Sequence, residues 1–154
     1  MPWLLETLLR NLDFDLEQLA DVMDPILTAR NFCQGSGLYL QGIVVGDRSF
    51  MASNLNPQGW IQATPCGTHW LLGGHSCCAL AIAGQGVAQF HAVLDFDPRH
   101  GFLLTTLGEK PGTWVNGQSL KPDQPWLLQE GDTVQVGRLS FEFLQEFCPA
   151  YHWN

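Results

Sequence analysis

The sequence predicts a mainly β protein, an antiparallel β-sandwich preceded by a short N-terminal α-helical segment, and three observations carry that expectation. From Pro2 to about Phe32 the apolar residues fall at helical spacing, with few β-branched residues and no glycine. After Phe32 glycine becomes frequent, prolines punctuate the chain, and short apolar runs recur between turn residues. No amphipathic helix intervenes between those runs, which argues against a wound α/β arrangement. The chain has 154 residues, 45% of them hydrophobic and 14% charged, enough to bury one core with an added segment and too few charges for a disordered chain. The expected divisions are a helical segment over 1–34, a sandwich domain over 35–147 and a C-terminal tail over 148–154.

Within the helical segment, Leu4, Leu5, Leu8, Leu9 and Leu12 form one apolar face, and Leu16, Leu19, Val22 and Met23 form a second. Asp13 or Asp15 suits the N-cap of the second helix, with Glu17 or Gln18 in its first turn. Asp24-Pro25 reads as another N-cap, followed by proline at the first position of a short third piece. Breaks are therefore expected near residues 11–13 and near Asp24. The first apolar face is too broad for a heptad seam, so packing on the protein's own sandwich is favoured. The competing use of that face is a homo-oligomer contact or insertion into a partner's groove.

Strands are expected at residues 38–45, 50–52, 60–63, 70–72, 79–83, 89–95, 102–106, 113–115, 133–136 and 140–144, each bounded by turn chemistry. Asn116-Gly117 is a hairpin signal in its own right.

Charge and cysteine usage exclude several function classes. Seven Lys and Arg against fifteen Asp and Glu give a net charge of -8. That balance repels polyanions and argues against nucleic-acid binding. Both regimes are acidic, so no basic arm is hidden by the average. No apolar run approaches the ~20 residues needed to cross a bilayer, and no basic residue precedes the first apolar stretch as in a secretory signal, so no membrane insertion is expected. Five cysteines at irregular spacing, two of them adjacent, suit reduced thiols and a cytoplasmic location. There is no phosphate-binding glycine loop and no dinucleotide fingerprint, and no cofactor is implied.

Four motifs then occur in order between about residues 50 and 144. They are Leu72-Gly73-Gly74-His75-Ser76, Val87-Ala88-Gln89-Phe90-His91-Ala92, the stretch from Gly108 through Lys110, Gly112, Thr113 and Trp114 to Asn116-Gly117, and Leu128-Gln129-Glu130-Gly131-Asp132 running on to Gly137. Together they resemble the forkhead-associated domain, a β-sandwich whose end loops read phosphothreonine. The resemblance implies that Gly74, His91, Gly112, Thr113 and Gly117 build the loops, with His91 a buried histidine that hydrogen-bonds neighbouring backbone.

The same resemblance places the family's phosphate-binding arginine on His75, which cannot make a bidentate fork, and its phosphate-binding serine on Ala88, which has no hydroxyl. The basic residue that follows falls on Gln89, and the family's Ser and Asn of the third motif fall on Glu109 and Pro111. A phosphate needs a cation and several donors on rigid loops. Much of that set is missing here, so the expectation is a non-enzymatic interaction module, an adaptor or assembly protein, that binds a protein partner independently of phosphate. The expected recognition surface is His75, Ser76, Gln89, Lys110 and Asn116. The alternative is low-affinity phosphothreonine recognition through Lys110 and His75.

A remote alternative is a zinc- or thiol-dependent enzyme built on Cys66, His69, His75 and Cys77, with Cys78 adjacent. Adjacent cysteines on a strand point to opposite faces, and the paired CxxC spacing is missing, so no metal site is expected. Asp95 and Asp97 precede Pro98-Arg99 and read as solvated turn residues. Trp70 and Trp114 read as structural, whereas Trp3 and the terminal Tyr151-His152-Trp153 are expected to anchor against each other or against a partner.

Overall fold

A computed structural model of the chain describes residues 2–82, 84–108, 110 and 112–148, with backbone alone at residues 2 and 3. The side chain of Trp3 and residues Ala83, Glu109, Pro111, Tyr151, His152 and Trp153 lie outside this description. Two helices come first, α1 (Pro2–Asn11) and α2 (Leu16–Thr28), and a 3-10 turn (Ala29–Phe32) follows. Asp13 and Phe14 both adopt positive φ in the reversal between the helices. Asp15 caps α2, its carboxylate accepting from the amides of Glu17 and Gln18.

The break expected at Asp24 does not occur: Pro25 lies inside α2. The apolar stripe explains why. Leu19, Val22, Met23 and Ile26 continue at helical spacing across the proline and pack on the sheet beneath, which holds one helix over both sides of it.

The strands are β1 (Tyr39–Val45), β2 (Arg48–Ser53), β3 (Gln62–Ala63), β4 (His69–Gly73), β5 (Leu80–Ala81), β6 (Ala92–Asp97), β7 (Gly101–Thr106), β8 (Thr113–Val115), β9 (Gln118–Ser119), β10 (Trp126–Leu127), β11 (Thr133–Val136) and β12 (Leu139–Cys148). They form two packed sheets, one in the order β3-β2-β1-β12-β11-β8-β9 and one in the order β10-β7-β6-β4-β5. The fold is the expected sandwich, with a refinement: β1 pairs in parallel with β12 and β4 with β5, while the other described pairs are antiparallel. Strand β12 also runs past the expected end at Leu144, and Cys148, placed in the tail by the sequence, pairs with Val45.

Both faces of the larger sheet are covered at β1, which is why that strand is buried along its whole length. Leu40 and Val44 face the second sheet, in a core with Met51, Trp70, Leu72 and Phe143. Phe102 sits at its centre, with ring centroids 4.8 Å from Phe96, 5.5 Å from Phe143 and 6.4 Å from Trp70. The alternate residues Ile43 and Val45, with Phe50 and Ala52 of β2, meet Leu4, Leu8, Leu12, Val22 and Ile26 of the helices. Much of the apolar face of the helical segment is thus spent on its own sheet, whereas Leu5 and Leu16 remain exposed. Asn11 fastens the end of α1: its Nδ2 donates to the Thr64 carbonyl at 2.9 Å and its Oδ1 accepts from the Cys66 amide at 3.2 Å.

Candidate functional site

One end of the sandwich gathers three loops: residues 74–79 after β4, residues 84–91 before β6, and the loop before β8, described at residues 107, 108, 110 and 112. Backbone approach brings the first two together. The Gly74 amide donates to the Ala88 carbonyl at 2.9 Å and the His75 amide to the Gln89 carbonyl at 3.1 Å. A Cβ on Gly73 would collide with the Gln89 carbonyl, so this close pass requires glycine. The expected strand at 89–95 begins only at Ala92, because the backbone of 88 and 89 is committed to these loop contacts.

His91 ties in the third loop. Its ring is buried, with Nδ1 accepting the Ala88 amide at 3.0 Å and Nε2 donating to the Gly112 carbonyl at 2.9 Å. Those two bonds fix the neutral tautomer with its proton on Nε2. Burial pushes the imidazole pKa below its ordinary value, against the opposing pull of the Gly112 carbonyl. Thr113 is buried beside it, its hydroxyl 2.8 Å from that of Thr106.

Around this frame, His75, Ser76, Gln89 and Lys110 are all exposed. His75 Nδ1 accepts from the Cys77 amide at 3.0 Å, which leaves Nε2 as the outward nitrogen. Its ring stacks on Phe90 with centroids 5.1 Å apart and an interplanar angle of 26°. Phe90 is 46% exposed, so the pair forms an aromatic platform open to solvent. The sequence does not mark Phe90, which fills the unspecified position between Gln89 and His91. Nor does it mark Arg138, whose amide donates to the Gln85 carbonyl at 2.9 Å and whose guanidinium reaches the Gln85 side chain at 3.2 Å. Arg138 directly follows the last glycine of the fourth motif, and that adjacency was the available signal.

Asn116 stands apart from this group. It lies beyond the far end of β8 from Gly112, roughly 13 Å along the strand at about 3.3 Å per residue. Its amide is committed there, with Nδ2 donating to Asp132 at 3.0 Å and Oδ1 accepting from the Thr133 amide at 2.9 Å. With φ values of 51° and 82°, Asn116 and Gly117 form the β8–β9 hairpin.

The donors of the zinc or thiol reading are divided between two places. His69 pairs with Asp95 at the start of β4, and Cys66 packs against α1, its thiol donating to the Asn11 carbonyl at 3.7 Å. His75 and Cys77 follow the other end of β4. Among the described residues no three His, Cys, Asp or Glu side chains form a metal-binding group. Burial also raises the thiol pKa of Cys66 and of Cys78, which favours the unreactive protonated form. Cys77 and Cys78 lie in the loop between β4 and β5, ahead of the strand expected at 79–83.

Comparison with known proteins agrees with the frame. Residues 70–137 match the family model described as FHA domain. Over 68 residues the chain is 26% identical to the FHA domain-containing protein PS1 of Arabidopsis thaliana, a match spanning 44% of this chain and 5% of that protein. Among solved structures, the FHA domain of an Arabidopsis thaliana hypothetical protein is 23% identical with a TM-score of 0.47, covering 55% of this chain and 73% of that one. A second, from a study of phosphothreonine-dependent FHA domain interactions, is 22% identical with a TM-score of 0.47, covering 66% and 88%. No described helix is long and apolar enough to cross a membrane. Residues 70–137 thus match the FHA domain family, which is one of protein-interaction modules, not of enzymes.

Proposed function

We propose that the loop end of this chain binds a protein partner without requiring phosphate, in an adaptor or assembly role. The observation that carries the reading is the exposed His75–Phe90 stack. It occupies the position where a phosphate reader needs a guanidinium, and a solvent-facing aromatic pair suits apolar and aromatic side chains. The nearby backbone supports this. The Ala88 amide is spent on His91, and the Gln89 carbonyl receives both the His75 amide and the Cys78 thiol, the latter at 3.3 Å. In this reading Ser76, Gln89 and Lys110 supply polar contacts around the platform, and Asn116 acts at a distance by shaping the frame. A cytoplasmic setting fits the unpaired cysteines.

One observation favours the alternative of phosphothreonine recognition: Lys110 and Arg138 place two exposed cations on loops at this same end. An affinity capture from native lysate, with and without phosphatase treatment, separates the two. The proposal expects the same partner in both arms, lost on Phe90→Ala. A partner that vanishes after phosphatase treatment and on Lys110→Ala would establish the phosphate-dependent reading instead.

A further inference from the structure

The helices cover only part of the outer face of the larger sheet. They lie over β1 and β2, and beside them runs a groove floored by β12. Two cavities open along it, of about 260 and 570 Å³, sharing Phe32, Glu130 and Leu144. Glu130 precedes β11, whose Thr133 end adjoins Asn116 while its Val136 end adjoins Gly112, so the groove is remote from the aromatic platform.

The smaller cavity holds an unanswered acceptor. Gln41 on β1 is only 3% exposed. Its Nε2 donates to the Pro25 carbonyl at 3.3 Å, which fixes the other amide atom as oxygen, and that Oε1 has no hydrogen-bond partner among the described residues. A buried acceptor without a donor costs on the order of 1–3 kcal/mol. Among the described residues the charged side chains lining this cavity, Asp24, Glu130 and Glu146, are all acidic. Glu142, in the neighbouring cavity, already accepts the amides of Gln34 and Gly35 at 2.6 and 2.7 Å. The nearby cation, Arg30, lines neither cavity, and its side chain lies against Gly37. Apolar lining comes from Ala29, Leu144 and Phe32, the last 69% exposed at the rim. Burial pushes the Glu130 carboxyl above its ordinary range and the Glu146 charge adds to that, opposed by the Gln145 amide that it accepts.

We propose that this groove receives an arginine side chain from an unphosphorylated partner polypeptide, its guanidinium donating to Gln41 Oε1 and to the carboxylates of Glu130 and Glu146. Arginine fits each part of the lining. The guanidinium carries five donors and no acceptor, and it sheds water more readily than an ammonium group. Its aliphatic stem matches Ala29 and Leu144, and Phe32 offers a ring face to the cation. The larger cavity, running on past Gly35 and Glu142, leaves room for the partner's backbone. This site is independent of the platform proposed above, and either can fail without the other.

The test is a two-dimensional NMR titration of the full chain with a capped alanine peptide carrying one central arginine, alongside lysine and citrulline counterparts. The expected result is saturable shifts at the Gln41 side-chain amide, Phe32 and Gln145, with the lysine peptide several-fold weaker and the citrulline peptide silent. Glu130→Gln, which keeps an oxygen for the Gln145 amide, and Glu146→Gln should each weaken binding on the order of tenfold. Asp47→Asn, in the turn beyond the far end of β1, removes one charge away from the groove and should leave binding unchanged. Absence of saturable shifts overturns the proposal. So do equal affinities for the arginine and lysine peptides, shifts spread over the whole acidic surface, or concentration-dependent self-association that shifts the same residues without peptide.

Discussion

His91 donates from Nε2 to the carbonyl of Gly112 across 2.9 Å, and this one bond joins the loop before β6 to the loop before β8. The bond requires a neutral ring, because Nδ1 is at the same time an acceptor for the Ala88 amide. The folded pKa therefore lies below the ordinary imidazole value of 6.5, while the unfolded chain protonates near that value. Below it the unfolded state binds the extra proton first, so the contribution is complete above pH 6.5 and is lost as pH falls from there toward the folded pKa. Urea denaturation at pH 7.5 and pH 5.5 should show lower stability at the acid pH. His91→Ala should flatten that slope and lower stability at pH 7.5 by about 1–3 kcal/mol through the unpaired backbone groups it leaves.

Gly73→Ala tests whether the close backbone pass positions the platform. The added methyl would meet the Gln89 carbonyl, which is backbone and cannot rotate aside. The expected cost is about 1–3 kcal/mol in denaturant unfolding, as for other overpacked sites. The same substitution should shift the His75 and Phe90 ring resonances, since the Gln89 carbonyl also receives the His75 amide.

Asn116→Ala separates frame from surface. The variant loses bonds to Asp132 and Thr133 and must place an alanine at a φ of 51°. A loss of about 1–2 kcal/mol is expected on thermal or urea unfolding. Partner capture by the aromatic platform should be unaffected at temperatures where the variant is folded.

Asn11→Ala tests the junction between the helices and the sheet. It would leave the Thr64 carbonyl and the Cys66 amide without their partner, at a cost of about 1–3 kcal/mol. Hydrogen exchange should then quicken in α1 and around residues 64–66.

Much of this architecture is legible in the residues because it rests on periodicity. The alternation along 133–136 and the leucine spacing of α1 each specify an element and its buried face. Direction is not written in such a pattern, which is why the parallel pairing of β1 with β12 could not be read: a period of two is the same in either sense. Strands β9 and β10, two residues each, are too short to carry a period at all. Pro25 misled because local propensity favoured a break where packing on the sheet maintained the helix. At the candidate site, motif order located the loops, but Asn116 matched a motif without sharing their end of the sandwich. Phe90 was invisible because only its stack on His75 gives it significance.

The parallel pairing of β1 with β12 sets the order in which the molecule can be built. Tyr39 finds its neighbour Glu142 only after all the intervening chain has been made, so the larger sheet cannot close until β12 has been synthesised. Until then β1 has one flank paired with β2 and the other open, and its inner residues lack the Phe141 and Phe143 that complete their core. Such late, long-range closure slows folding and leaves an unpaired strand edge available to other chains. A chain cut before β12 would lose the strand that unites the helix-bearing half of that sheet with β11, and would behave as an aggregation-prone fragment in place of a smaller module.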